Sequence, residues 1–162
     1  MNIPLALARF VIGLGLLGAS ACGAQVLDRS QVVSERGFDD TVQQLQWAFG
    51  GFGVATVAAM DYQEVLKKLK VDTGRAVVFE VMRRDWAKRL LTQDLSLGHL
   101  MPARIYVYED VSGATIVRYT HLSAELEGHS SESIRGLGRQ IDEKLRAMVI
   151  QATTVKGTST AQ

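Results

Sequence analysis

The sequence predicts an α+β fold: a mixed sheet with helices packed on it, in the order βαβαβαββα, ending in a C-terminal helix. Three observations carry that prediction. Apolar side chains recur at helical spacing in Phe38, Val42, Leu45 and Phe49, and again in Ile134, Leu137, Ile141, Leu145 and Met148. Residues 76–82 (AVVFEVM) form a nearly continuous apolar, β-branched run of the kind a covered strand needs. Two further strand-like segments, 103–109 and 114–120, are separated only by residues 110–113, a link so short that the strands must form an antiparallel hairpin.

The elements follow in order. A first strand is expected at residues 30–35, closed by Gly37. Asp39 and Asp40 then fall in the first turn of the first helix, where the positive pole of the helix dipole favours them and capping accounts for them without an acid/base role. Gly50, Gly51 and Gly53 stop that helix. They follow a helix rather than joining a strand to a helix N-terminus, so they read as a C-terminal turn and not as a phosphate loop. Residues 54–60 read as a strand. Tyr62, Val65, Leu66 and Leu69 mark a short amphipathic helix whose Lys67, Lys68 and Lys70 suit its negative pole. After the strand at 76–82, Asp85 can cap a helix that offers Trp86, Ala87, Leu90 and Leu91 to the core. Residues 95–102 lack a clean period and contain Gly98 and Pro102, which predicts a loop. In the hairpin, pairing Glu109 with Ala114 puts Val107 opposite Ile116 and Ile105 opposite Arg118. The other face then carries Arg104, Tyr106, Tyr108, Thr115, Val117 and Tyr119. The early strands alternate with helices, which leaves room for parallel neighbours in the sheet.

The N-terminus has the grammar of an export signal. Arg9 precedes twelve uncharged residues, 10–21, that end in Ala19, Ser20 and Ala21, and Cys22 follows as the single cysteine. Residues 10–24 are too few for a membrane span, which needs about 20 apolar residues. Cleavage after Ala21 therefore leaves two readings, a soluble periplasmic protein or a lipoprotein acylated on Cys22. The second is preferred, because a lone exported cysteine has no disulfide partner within the chain and lipidation consumes its thiol. The predicted organisation is a signal peptide at 1–21, a tether at 22–29, one α+β domain at 30–150 and a disordered tail at 151–162.

Charge narrows the function classes. The chain has 18 Lys+Arg and 17 Asp+Glu, and Arg9 is the one charged residue of the signal, so the remainder balances at 17 against 17. A neutral, mixed surface lacks the basic stripe that nucleic acid requires. One cysteine supports neither a disulfide framework nor a Cys-based zinc site.

The segments Gly37–Val42 (GFDDTV), Gly53-Val54 ahead of a strand, and residues 98–102 (GHLMP) ahead of residues 104–109 (RIYVYE) resemble the domain-of-unknown-function family 302 over residues 30–122. The resemblance implies a small α+β domain of bacteria and archaea and brings no agreed activity. Many relatives carry a cysteine directly after the loop proline. Here that position is Ala103, so no thiol chemistry is carried over.

Candidate chemistry gathers where the loop meets the hairpin: His99, Met101, Arg104, Tyr106, Tyr108, Tyr119 and His121 are the expected ligand-binding residues. Imidazole and thioether ligands suit a soft ion such as Cu(I), which makes His99, Met101 and His121 the candidate metal ligands of an alternative reading. The plainer account of His99 and Met101 is a polar loop tip and a core methionine. The tyrosines suit a covered sheet face, a homodimer contact or a ligand pocket. No nucleophile elbow or distinctive His/carboxylate cluster is present, so no catalytic residue and no cofactor are predicted. The resulting expectation is a non-enzymatic cell-envelope module that binds a small ligand or a protein, exported to the periplasm or lipid-anchored through Cys22. A copper-handling accessory is the alternative, and an enzyme comes third.

Overall fold

The computed structural model describes residues 31–155; the predicted export signal, Cys22, the predicted tether and the end of the predicted tail, 156–162, lie outside the described residues. Five strands, β1 (Gln31–Val33), β2 (Ala55–Asp61), β3 (Ala76–Met82), β4 (Ala103–Glu109) and β5 (Thr115–Tyr119), form one sheet in the order β1-β5-β4-β3-β2. Five helices accompany them: α1 (Phe38–Gly51), α2 (Tyr62–Lys68), α3 (Arg84–Leu91), α4 (Leu122–Glu125) and α5 (Glu132–Thr153). The α+β class and the C-terminal helix are as the sequence predicts.

The mixed sheet is not: all four strand pairs are antiparallel. The strands that α1 joins, β1 and β2, stand at opposite edges of the sheet, so α1 is not a crossover between neighbours. The helix-containing links from β2 to β3 and from β3 to β4 are long enough to bring the chain back in the opposite sense, and helix–strand alternation alone does not dictate parallel pairing. Two short elements also go beyond the expected order. Residues predicted as loop form a 3-10 helix over Leu95–Leu100, and α4 precedes the final helix.

One face of the sheet carries the core. Phe79, Val81, Ala103, Ile105, Val107, Val117 and Tyr119 meet Leu45, Ala48 and Phe49 of α1 and the long buried stripe of α5. Phe49 and Phe79 join helix to sheet edge-to-face, with ring centroids 5.5 Å apart. The predicted apolar stripe of α1 is present, with Leu45 and Phe49 fully buried and Phe38 and Val42 packed at its margin. Its first-turn acids meet arginines rather than capping through their side chains: Asp40 pairs with Arg36 at 2.8 Å and Asp39 with Arg75. Thr41 Oγ1 donates to the Gly37 carbonyl at 2.8 Å and closes the first turn.

The last helix anchors the far end. Asp142 of α5, 8% exposed, accepts from the backbone N–H groups of Leu122 (2.7 Å) and Ser123 (2.9 Å), and so caps the short α4 from outside. Gly138 allows that approach, since a Cβ there would lie 3.0 Å from Ser123 Cα. The helix runs to Thr153, which is buried, three residues beyond the domain end expected at 150.

The β4–β5 register differs by one residue from the predicted one. Glu109 pairs with Thr115, Val107 with Val117 and Ile105 with Tyr119. Asp110 N–H donates to the Ala114 carbonyl at 3.0 Å, which leaves Val111, Ser112 and Gly113 as the loop, with Gly113 at φ +83°. A three-residue loop with a left-handed glycine is a standard hairpin connection, and it replaces the four-residue link assumed from sequence. A one-residue slip turns every side chain of a strand over. Tyr119 therefore faces the core, while Ile116, itself buried, and the exposed Arg118 lie on the opposite face of the sheet.

Candidate functional site

The second face of the sheet bears Ala76, Val78 and Glu80 from β3 and Arg104, Tyr106 and Tyr108 from β4, set side by side by the pairs Ala76–Tyr108, Val78–Tyr106 and Glu80–Arg104. Each alternates with a core residue along its strand, so burial of the first face dictates what this face presents. The covering element here is α2. Asp61 caps it, its carboxylate accepting from Glu64 N–H at 3.1 Å. Its C-terminus closes through Lys70 N–H to the Lys67 carbonyl (3.0 Å) and Val71 N–H to the Leu66 carbonyl (3.0 Å), with Lys70 in the left-handed region at φ 60°. None of its residues is buried. Of the apolar residues that mark this helix as amphipathic, Tyr62 and Leu66 overlook the outer face, and Val65 and Leu69 are exposed. A helix of seven residues, about two turns, is too little surface to cover a five-stranded sheet, and a gap remains.

That gap is a cavity of about 550 Å³ lined by Tyr62, Leu66, Val78, Tyr106, Tyr108 and Arg104, with Arg75, Glu109 and the 73–74 turn at its end. Tyr106 stacks on Tyr108 with centroids 5.2 Å apart, and Tyr62 meets Tyr106 edge-on at 6.0 Å. Desolvation, followed by the neighbouring Tyr62 and Tyr108 hydroxyls, raises the Tyr106 phenol above its ordinary value. Arg75 is held in place by its stack on the Phe38 ring (4.4 Å) and its pair with Asp39. Arg104 is freer: its side chain is 71% exposed and its contact with Glu80 is long, at 3.4 Å. The cavity therefore offers stacked phenol rings, an aliphatic floor and one exposed, loosely paired guanidinium at its rim.

Of the residues expected from sequence, Arg104, Tyr106 and Tyr108 meet here and the others do not. Tyr119 is 6% exposed on the core face, displaced by the register shift. His99 sits on the 3-10 helix, its Nδ1 2.8 Å from the Ser96 carbonyl oxygen. Met101 packs at the margin of the core, and His121 lies 3.5 Å from Asp142 at the start of α4. None of the three lines the cavity. Among the described residues, no group of three or more His, Cys, Asp or Glu side chains is arranged to hold a metal ion. The third histidine, His129, has Nε2 3.3 Å from Asp94, while Nδ1 accepts from Ser131 N–H at 3.0 Å, which ties the 3-10 helix to the loop before α5.

Tyr62, Leu66 and Val78 were not anticipated as lining residues. The available signal was that Tyr62 and Leu66 lie four apart on a helix too short to span the sheet.

The family model of the domain of unknown function DUF302 matches residues 30–152. The chain belongs to this family. Among solved structures, the chain is similar to an uncharacterized conserved DUF302 protein from Bacillus stearothermophilus, at 20% identity and a TM-score of 0.70, over 75% of this chain and 95% of that one. At that identity the likeness shows the shared fold. No curated protein matches the sequence. The DUF302 assignment thus covers every described element that builds the cavity.

Proposed function

We propose that this DUF302 chain is a non-enzymatic binding module of the cell envelope that takes a small, flat, largely apolar molecule with one anionic group. The observation that carries the reading is the 550 Å³ cavity walled by Tyr62, Tyr106 and Tyr108. Small-molecule sites are typically concave, about 300–1,000 Å³, mostly apolar, and oriented by a few polar groups. Two stacked rings and a third set edge-on form a platform for another planar ring. Arg104, exposed and weakly held, supplies the charge that a carboxylate or sulfonate on the ligand would meet. The envelope location rests on the predicted export signal and on Cys22.

The test is calorimetric titration with 1-naphthoate as the probe, comparing the wild type with Tyr106→Ala and Arg104→Gln. The expected result is saturable binding that Tyr106→Ala weakens by about tenfold, the equivalent of ~1.4 kcal/mol. Arg104→Gln should weaken 1-naphthoate while leaving the uncharged analogue naphthalene unaffected. Equal binding by wild type and Tyr106→Ala would overturn the reading.

A further inference from the structure

We propose that two copies of this chain associate through β2, each pairing the free edge of its sheet with the other's across a twofold axis. The inference does not depend on the ligand reading. Strand β2 ends the sheet, and all seven of its residues are exposed. Residues 55–60 read Ala-Thr-Val-Ala-Ala-Met, with no charge and no proline. Edge strands in monomers are usually guarded by lysine, proline or shortness, because their unpaired N–H and C=O groups template another strand. The opposite edge shows such a guard: β1 is only three residues long, and the chain beyond it is tied down by Glu35 N–H to the Thr153 carbonyl at 2.9 Å. On β2 the one irregularity is a bulge between Thr56 and Ala58, after which Ala58–Asp61 pairs regularly with β3.

The surroundings of β2 suit a second copy. Val57 (53% exposed) and Met60 (48%) are exposed apolar side chains on the strand itself, and Val65, Leu69 and Val71, on the helix and turn that follow it, are exposed as well. A standard interface buries about 800 Å² per partner, more than one strand edge supplies, and these side chains add the apolar area such an interface needs. The small side chains of Ala55, Ala58 and Ala59 let a strand approach closely. A lipid surface could cover the apolar residues but has no hydrogen-bonding groups in register with a strand. Charge also fits self-pairing. Antiparallel association brings Asp61 of one copy towards the Ala55 end of the other, where Ala55 pairs with Met82 and the exposed Arg84 follows. The twofold repeats that contact, so the interface is isologous and closed.

Pairing would also lengthen the binding face. A second hollow of about 330 Å³, lined by Ala58, Met60, Tyr62, Val78, Glu80 and Arg104, runs from the tyrosine cavity to the β2 edge. Joined edge to edge, two such hollows make one trough across the β4-β3-β2 strands of both copies.

Sedimentation velocity of the purified full chain in a mild detergent, over a concentration series, tests the proposal together with amide hydrogen exchange. The wild type should sediment at twice the monomer mass, and exchange of residues 55–61 should slow as concentration rises. Met60→Lys should sediment as a monomer with concentration-independent exchange in β2, and Tyr106→Ala should stay dimeric. A wild type that is monomeric throughout the series would overturn the proposal. So would a dimer whose concentration-dependent protection falls outside β2, or one that Met60→Lys leaves intact while its exchange elsewhere shows a native fold.

Discussion

The ring of Tyr62, the first residue of α2, meets the ring of Tyr106 on β4 edge-on at 6.0 Å, and this contact joins the helix to the open face of the sheet. None of the residues of α2 is buried, and Leu66 is its other side chain over the cavity. Removing the ring should therefore loosen the helix without unfolding the domain. Tyr62→Ala is expected to speed amide exchange in residues 62–68, while the global unfolding free energy falls by only ~1 kcal/mol, the scale of one exposed aromatic pair. Hydrogen exchange followed alongside a urea melt separates the two effects.

The crowding of three phenols predicts an alkaline transition. Desolvation first, and then Tyr62 and Tyr108, raise the Tyr106 phenol in the folded state. A group whose folded value lies above its unfolded one stabilises the fold below the unfolded value, and that contribution is lost as pH rises through the folded one. Stability should thus decline above about pH 10, the ordinary tyrosine range. Tyr106→Phe should flatten the decline, and in an ultraviolet titration it should remove a tyrosine that ionises late. Tyr62→Phe should shift that ionisation down, by a smaller amount than burial shifts it up.

Gly138 of α5 lies against α4 so closely that a methyl group would come within 3.0 Å of Ser123 Cα and 3.1 Å of Leu126 Cδ1. The first of these atoms is backbone and cannot swing aside. Gly138→Ala gains helix propensity, about 1 kcal/mol in an exposed helix, but here the overpacking cost of about 1–3 kcal/mol should prevail. A net loss of stability in denaturant melts is the expected outcome. Exposed Ala147 on the same helix, changed to glycine, serves as the propensity control.

The two faces of the hairpin make opposite predictions for two tyrosines. Tyr119 is buried opposite Ile105, so Tyr119→Ala should cost about 3 kcal/mol or more. Tyr108 lines the open cavity, and Tyr108→Ala should cost distinctly less; parallel urea melts give the comparison. These residues also mark how far the sequence could be read. The helical stripes of α1 and α5 and the covered strand β3 were visible because burial imposes a period on the side chains. Arg104, Tyr106 and Tyr108 were placed correctly on one face, since they alternate with Ala103, Ile105 and Val107 within a single strand. Tyr119 was not, because its face depends on where the hairpin closes, and a loop of three residues rather than four inverts the whole of β5. Strand direction was hidden for a related reason: a helical link of this length permits either sense, and only tertiary packing selects one. The helix α2 reads as amphipathic, but an amphipathic pattern does not say which of two sheet faces it will lie on.

If the open tyrosine face is the binding surface, ring-labelled tyrosine NMR should report the ligand at three rings and not at the fourth. The chain has four tyrosines, so each ring can be assigned by substitution. On titration with 1-naphthoate, the ring signals of Tyr62, Tyr106 and Tyr108 should move together along one saturation curve while Tyr119 stays fixed. Signals that remain unmoved at saturating probe, or a response from Tyr119 rather than from the other three, would rule out binding at this face.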